Sequence, residues 1–208
     1  KTLGLLLIIF LPADTKAQKT RNHYPVKPVP FTDVQLRDEF FRPRLETNRK
    51  VTIPHCLKKC EQTGRIDNFA IAGGLKKGSH KGHIFNDSDL YKVIEGIAYS
   101  LVINPDPELE KYTDRIIEKI AAAQEDDGYL YTARTINPHN PRGKAGKKRF
   151  SKLRYSHELY NLGHLYEAAV AYYKATGKHT LLKVATKSAD LLTRTFGPDK
   201  MHKTSGHE

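Results

Sequence analysis

Tryptophan is missing from this chain of 208 residues, methionine occurs once, at position 201, and only two cysteines are present. Two thiols cannot build a disulfide framework or, alone, a four-ligand zinc cage, so stability must come from buried apolar surface. Cys56 and Cys60 stand four apart in a helical pattern, which sets both thiols on one face; a strained disulfide is sterically allowed, and two partly buried free thiols are the expected state. Long apolar runs are scarce too. The one at residues 4–11 is too short to span a bilayer, and with Thr15, Lys16 and Ala17 behind it, residues 1–18 read as the remnant of a secretory signal. A secreted or periplasmic protein without a membrane span is therefore expected. The chain starts without Met and stops at Gly206, His207 and Glu208 with no cap or turn, so it reads as cut at both ends.

Acidic residues are in deficit: 23 Asp and Glu face 35 Lys and Arg, a formal net charge of +12. The excess is local. Lys76, Lys77 and Lys81 form one cluster, and Arg142, Lys144, Lys147, Lys148, Arg149, Lys152 and Arg154 form another, in and just after a basic insert at 139–152. Solvated loops explain both. With little aromatic interleaving, no specific nucleic acid is expected, and for an exported chain the matching polyanion would be an acidic polysaccharide.

Strand-type alternation is nearly absent; Tyr129 to Thr132 offer at most a short extended piece. After a linker at 19–33 holding Pro25, Pro28 and Pro30, folded structure is expected from Val34 onward. Residues 36–61 have a helical pattern interrupted by Pro43 and Pro54, which predicts two helices meeting near Pro54. Residues 62–86, rich in Gly, Lys and His, read as an ordered loop. Asp87 and Ser88 then cap an amphipathic helix carrying Leu90, Val93, Ile94, Ile97 and Leu101 at i, i+3, i+4, i+7 spacing, with Asp89 as a further capping candidate. Asp106 and Pro107 start a second helix, and a connection this short makes the two antiparallel neighbours. After the insert the pattern repeats over 156–175 and 181–196. The fold class is all-α: helical hairpins in series, stacked as a solenoid or closed into a toroid.

The helix pattern at 156–177 carries imidazole and carboxamide groups on an apolar surface. At 3.6 residues per turn, His157, Asn161, His164 and Ala168 share one stripe. Buried polar groups need partners, so either the histidines are satisfied inside the core or the stripe faces a pocket and binds a polyol such as a sugar. A zinc site fits poorly, because His157 and His164 are seven apart, whereas a helical metal pair needs i, i+4 and a third ligand. The polar stripe favours a toroid with a central pocket.

The strings Arg65-Ile66-Asp67-Asn68-Phe69, Phe85-Asn86-Asp87-Ser88-Asp89-Leu90-Tyr91-Lys92, Asp127-Gly128-Tyr129-Leu130, Ser156-His157-Glu158-Leu159-Tyr160 with Gly163-His164, Phe196-Gly197-Pro198 and Gly206-His207-Glu208 follow in this order. Over residues 31–208 they resemble the N-terminal part of glycoside hydrolase family 127, best known for non-reducing-end β-L-arabinofuranosidases. The resemblance implies that 34–208 form the first portion of an (α/α)6 barrel, in a retaining exo-enzyme that trims terminal L-arabinofuranose from plant cell-wall or glycoprotein oligosaccharides. It further implies a cysteine nucleophile within a zinc site of three cysteines and a glutamate, plus a glutamate acid/base, all lying beyond this chain; Cys56 and Cys60 are in the wrong region, so no catalytic residue or metal ligand is assigned. His157 and His207 match histidines that hold sugar hydroxyls, and His164 is a supporting candidate. A non-catalytic carbohydrate-binding protein and a helical-repeat scaffold are the alternatives.

Overall fold

The computed structural model describes residues 26–203. The chain divides into two units at Phe31; of the first, only Val26 to Pro30 are described, and these are exposed. The signal remnant expected over 1–18, the first part of the linker and His207 lie outside the described residues.

In the second unit, helix formation is organised around its prolines. Asp38 accepts the Phe40 and Phe41 amides at 2.9 and 2.7 Å and opens α1 (Phe41–Thr47), whose Pro43 sits in the first turn, where no intrahelical N–H partner is needed. A π-helical turn, Asn48–Thr52, joins α1 to α2 (Ile53–Gln62), with Pro54 in the first turn of α2. The two helices therefore meet near Pro54 without a break: the wide turn absorbs the missing N–H.

Gly64, left-handed at φ 78°, reverses the chain into α3 (Arg65–Ala72). This corrects the loop reading of 62–86. Ile66, Phe69 and Ala70 bury an i, i+3, i+4 face too short to stand out between glycines, and packing rather than propensity makes the helix. Asn68, also buried, donates to the Lys81 carbonyl and accepts its amide, both at 2.9 Å, and so ties down the true loop that follows.

Two hairpins complete the fold. In the first, α4 (Asp87–Ile103) passes through Asn104-Pro105-Asp106 into α5 (Pro107–Ala123), and the Asp106 carboxylate accepts the Leu109 amide at 3.0 Å. Short helices α6 (Thr132–Thr135) and α7 (Leu153–Ser156) bound the basic insert. The second hairpin is α8 (Glu158–Thr176) and α9 (Thr180–Thr195), with Gly177 at φ 73° closing α8. Hairpin stacks on hairpin: α4 packs along α8 and α5 along α9. Ala98, Ala168 and Ala169 let the first pair approach closely, and Leu90, Ile94, Ile97, Leu162 and Leu165 fill the seam, each fully buried aliphatic contributing about 1.5–3 kcal/mol. Among the described residues there is no strand, only an isolated bridge between Phe196 and His202. The architecture is all-α, a segment of paired helices in two layers.

Candidate functional site

The segment between α5 and α8 is organised by one carboxylate. Glu158, 1% exposed, accepts the Tyr129 hydroxyl at 2.6 Å and the Phe150 amide at 2.9 Å on Oε1, and the Ser156 hydroxyl at 2.7 Å on Oε2. Burial pushes the Tyr129 hydroxyl well above the ordinary tyrosine range, and the nearby Glu158 carboxylate adds to the rise. These bonds pin the chain on either side of His157. Phe150 and His157 are the two described non-glycine residues with left-handed backbone, both at φ 57°. Such a conformation costs about 1–2 kcal/mol for an L-residue and persists only where the surroundings impose it.

The turn aims the His157 ring away from the core. Its Nδ1 lies 3.0 Å from the Tyr155 carbonyl, which can only accept, so Nδ1 carries the hydrogen and Nε2 is the acceptor of the neutral ring. Phe85 packs against it at 5.3 Å between ring centroids, and His83 stacks on Phe85 at 5.2 Å and 4°. Together with Arg142, Lys144 and Tyr155 they line a cleft of about 540 Å³. Gly82 is obligatory at its floor: at φ 82°, a Cβ there would come within 2.1 Å of Asn86 Nδ2. Burial, reinforced by the Arg142 charge, pushes His80 down to about 4, which keeps this ring neutral at physiological pH. Among the described residues, no carboxylate or thiol lines the cleft. What it offers is an aromatic wall, imidazole nitrogens and three cations, a lining suited to holding a polyhydroxylated ring.

The structure divides the polar stripe read from the sequence. His157 is not in the helix, which starts one residue later. Asn161 and Ala168 point into the α4 seam and are buried, and Asn161 Oδ1 accepts the Ser88 amide at 3.1 Å. His164, half-buried, meets Glu167 through Nδ1 at 2.9 Å and the Tyr160 ring at 4.7 Å, and does not line the cleft. Tyr160 in turn accepts a hydrogen bond from Lys92 at 2.6 Å. The capping assignments also change. Asp87 is buried and accepts the Thr132 amide at 2.9 Å together with the Thr132 hydroxyl; burial pushes its carboxyl up to about 6. Asp89 pairs with Arg65 at 2.7 Å. The cap on α4 thus comes from Asn161, across the seam. In the sequence Asn161 falls on the polar stripe with its partner in α4 unforeseen, and Glu158 goes unrecognised, reading as an ordinary helix residue.

Cys56 and Cys60 are free thiols, and burial pushes Cys60 up to about 11. Among the described residues, no group of three or more His, Cys, Asp or Glu could hold a metal ion, and no helix is long and apolar enough to cross a membrane.

A family model for the β-L-arabinofuranosidase GH127 catalytic domain matches residues 33–208. A non-reducing end β-L-arabinofuranosidase of Bifidobacterium longum subsp. longum is 44% identical over 144 residues, covering 68% of this chain and 21% of that protein. A solved GH127 β-arabinofuranosidase superposes with a TM-score of 0.82 at 48% identity, over 89% of this chain and 30% of its own. The GH127 β-L-arabinofuranosidase of Geobacillus stearothermophilus T6 gives 0.76 at 39% identity, over 82% and 27%. The chain thus spans about a fifth to a third of the length of these relatives. On sequence and fold together, it belongs to the GH127 β-L-arabinofuranosidase catalytic-domain family.

Proposed function

We propose that this chain is part of an exported, retaining exo-β-L-arabinofuranosidase that releases terminal L-arabinofuranose from plant glycans, and that it supplies one wall of the subsite for the terminal sugar. The observation that carries the reading is the strained His157 turn, held by buried Glu158, which presents an imidazole beside Phe85 in a family of arabinofuranosidase catalytic domains. A furanose ring offers hydroxyls that both donate and accept, which a neutral imidazole can match, and C–H faces that rest on an aromatic ring. His207 is proposed as a second contact by its place in the Gly-His-Glu string.

The described residues do not fit a zinc centre: the ligand cluster is lacking, and the buried Cys60 thiol resists ionisation. They supply no step through a metal. The cysteine nucleophile, the glutamate acid/base and the zinc implied by the family resemblance are proposed to reside elsewhere in the polypeptide. Export rests on the apolar run at 4–11.

The test replaces His157 by Ala in the full-length polypeptide and follows hydrolysis of a chromogenic β-L-arabinofuranoside. Loss of a hydrogen bond to substrate should lower kcat/KM by about 10- to 100-fold with helicity by circular dichroism unchanged. Unchanged kcat/KM would remove His157 from the site.

A further inference from the structure

We propose that the basic segment from Asn140 to Arg154 forms a second subsite, for an anionic sugar residue bearing a carboxylate or a sulfate, in the glycan to which the terminal furanose is attached. This rests on the arabinofuranosidase reading above. Next to the His157 cleft lies a cavity of about 820 Å³ lined by Lys144, Lys147, Lys148 and Lys152, with Ser151 and Tyr155 between them. The two hollows share Gly143, Lys144 and Tyr155 as a common wall, so a ligand seated against Phe85 and extended past Tyr155 enters the basic one.

Its charge has no internal counterweight. No Asp or Glu occurs between Asp127 and Glu158. Arg149 is tied to Glu125 and Asp127, while the remaining cations of the segment form no ion pair with a described carboxylate. Lys144 and Arg154 both approach the Tyr155 ring, at 5.1 and 5.8 Å from its centroid. A solvated loop would let such cations spread apart. Here the backbone is anchored: Ala145 and Phe150 are buried, the Arg142 amide bonds the Ala133 carbonyl at 3.0 Å, and the Lys152 carbonyl accepts the Ser156 amide at 2.9 Å. The anchored backbone keeps these lysines on the wall of one cavity, and an anion there relieves their repulsion in a way a neutral sugar cannot.

The experiment compares, in the full-length polypeptide, β-L-arabinofuranose linked to galactose and the same sugar linked to galacturonic acid. At low salt the acidic substrate should show kcat/KM about tenfold higher, and the advantage should vanish near 1 M salt, where the screening length is about 3 Å. The Lys147→Gln, Lys148→Gln, Lys152→Gln triple variant, whose changed side chains lie outside the His157 cleft, should lose the preference and keep the neutral activity. Equal rates in the wild type at low salt, or a preference that survives in the triple variant, would overturn the proposal. Electrophoresis through gels containing polygalacturonate, sulfated galactan or neutral galactan reads the subsite without catalysis. Retardation by polygalacturonate assigns a carboxylate and by sulfated galactan a sulfate, provided the triple variant abolishes it. Retardation by neither sinks the subsite. If neither arabinoside is cleaved yet an acidic gel retards the wild type alone, the hydrolase reading fails and the anionic subsite stands.

Discussion

The α4–α8 seam and the segment between Gln124 and His157 meet at Asp87 and Thr132, yet they are held by opposite means. The seam is apolar and periodic, with Leu90, Ile94, Ile97, Leu165 and Ala168 wholly buried. The segment has little regular structure, and its path is set by a few buried polar anchors: Asp87 on Thr132, and Glu158 on Tyr129, Phe150 and Ser156. A second small core of Tyr129, Tyr131, Ala145 and Phe150 covers those anchors. Apolar seams supply non-directional stability, whereas directed bonds fix a backbone in one conformation, which a left-handed histidine at the lip of a cleft requires.

The sharpest way to break this contrast is to remove one anchor and one seam residue in parallel. Glu158→Ala strands three buried donors and should cost about 4 kcal/mol by urea denaturation, with Glu158→Gln recovering roughly half. Ile94→Ala should cost about 3 kcal/mol through cavity formation. The distinguishing readout is hydrogen exchange. The Glu158 variant should lose protection over 129–157 first, the Ile94 variant over α4 and α8; the same pattern in both would erase the distinction.

A smaller effect concerns acid. Burial raises the Asp87 carboxyl to about 6 from an ordinary 3.8, so its contribution is complete below about pH 4 and is lost as pH rises through about 6. His80 is pushed the other way, from 6.5 to about 4, so the folded state gains as pH rises from about 4 to 6.5. The two slopes oppose each other. Asp87→Asn should make stability climb more steeply between about pH 4 and 6, and His80→Gln should make it fall, when urea midpoints are compared across that range.

The smallest expected effect is the most diagnostic of the segment. His157→Gly relieves the left-handed strain and should raise stability by about 1 kcal/mol while lowering activity. A loss of stability would show that the ring, packed on Phe85, outweighs the strain.

The same contrast explains what was legible. Helices α4, α5, α8 and α9 follow from 3.6-residue periodicity, and Asp106-Pro107 marks a start through a bond only three residues long. Asp87 misleads by the same local rule: its position reads as a cap, but its partner is 45 residues away. Helix α3 hides because eight residues between glycines carry too little pattern. The helix expected from residue 156 begins later because Glu158 turns inward, and one acidic side chain in a first turn carries no sign of three distant donors. The cleft was legible only as the suspicion attached to His157; Phe85, Tyr155 and the cations that complete it come from segments that periodicity does not relate.

The bond from the Ser88 amide to Asn161 joins residues 73 apart. While the polypeptide is being made, the amino end of α4 therefore leaves the ribosome with this amide held only by the local Phe85 carbonyl, at 3.2 Å, and it gains its second acceptor once the second hairpin has emerged and docked. Assembly of this domain is thereby ordered in time, the later hairpin completing the earlier one.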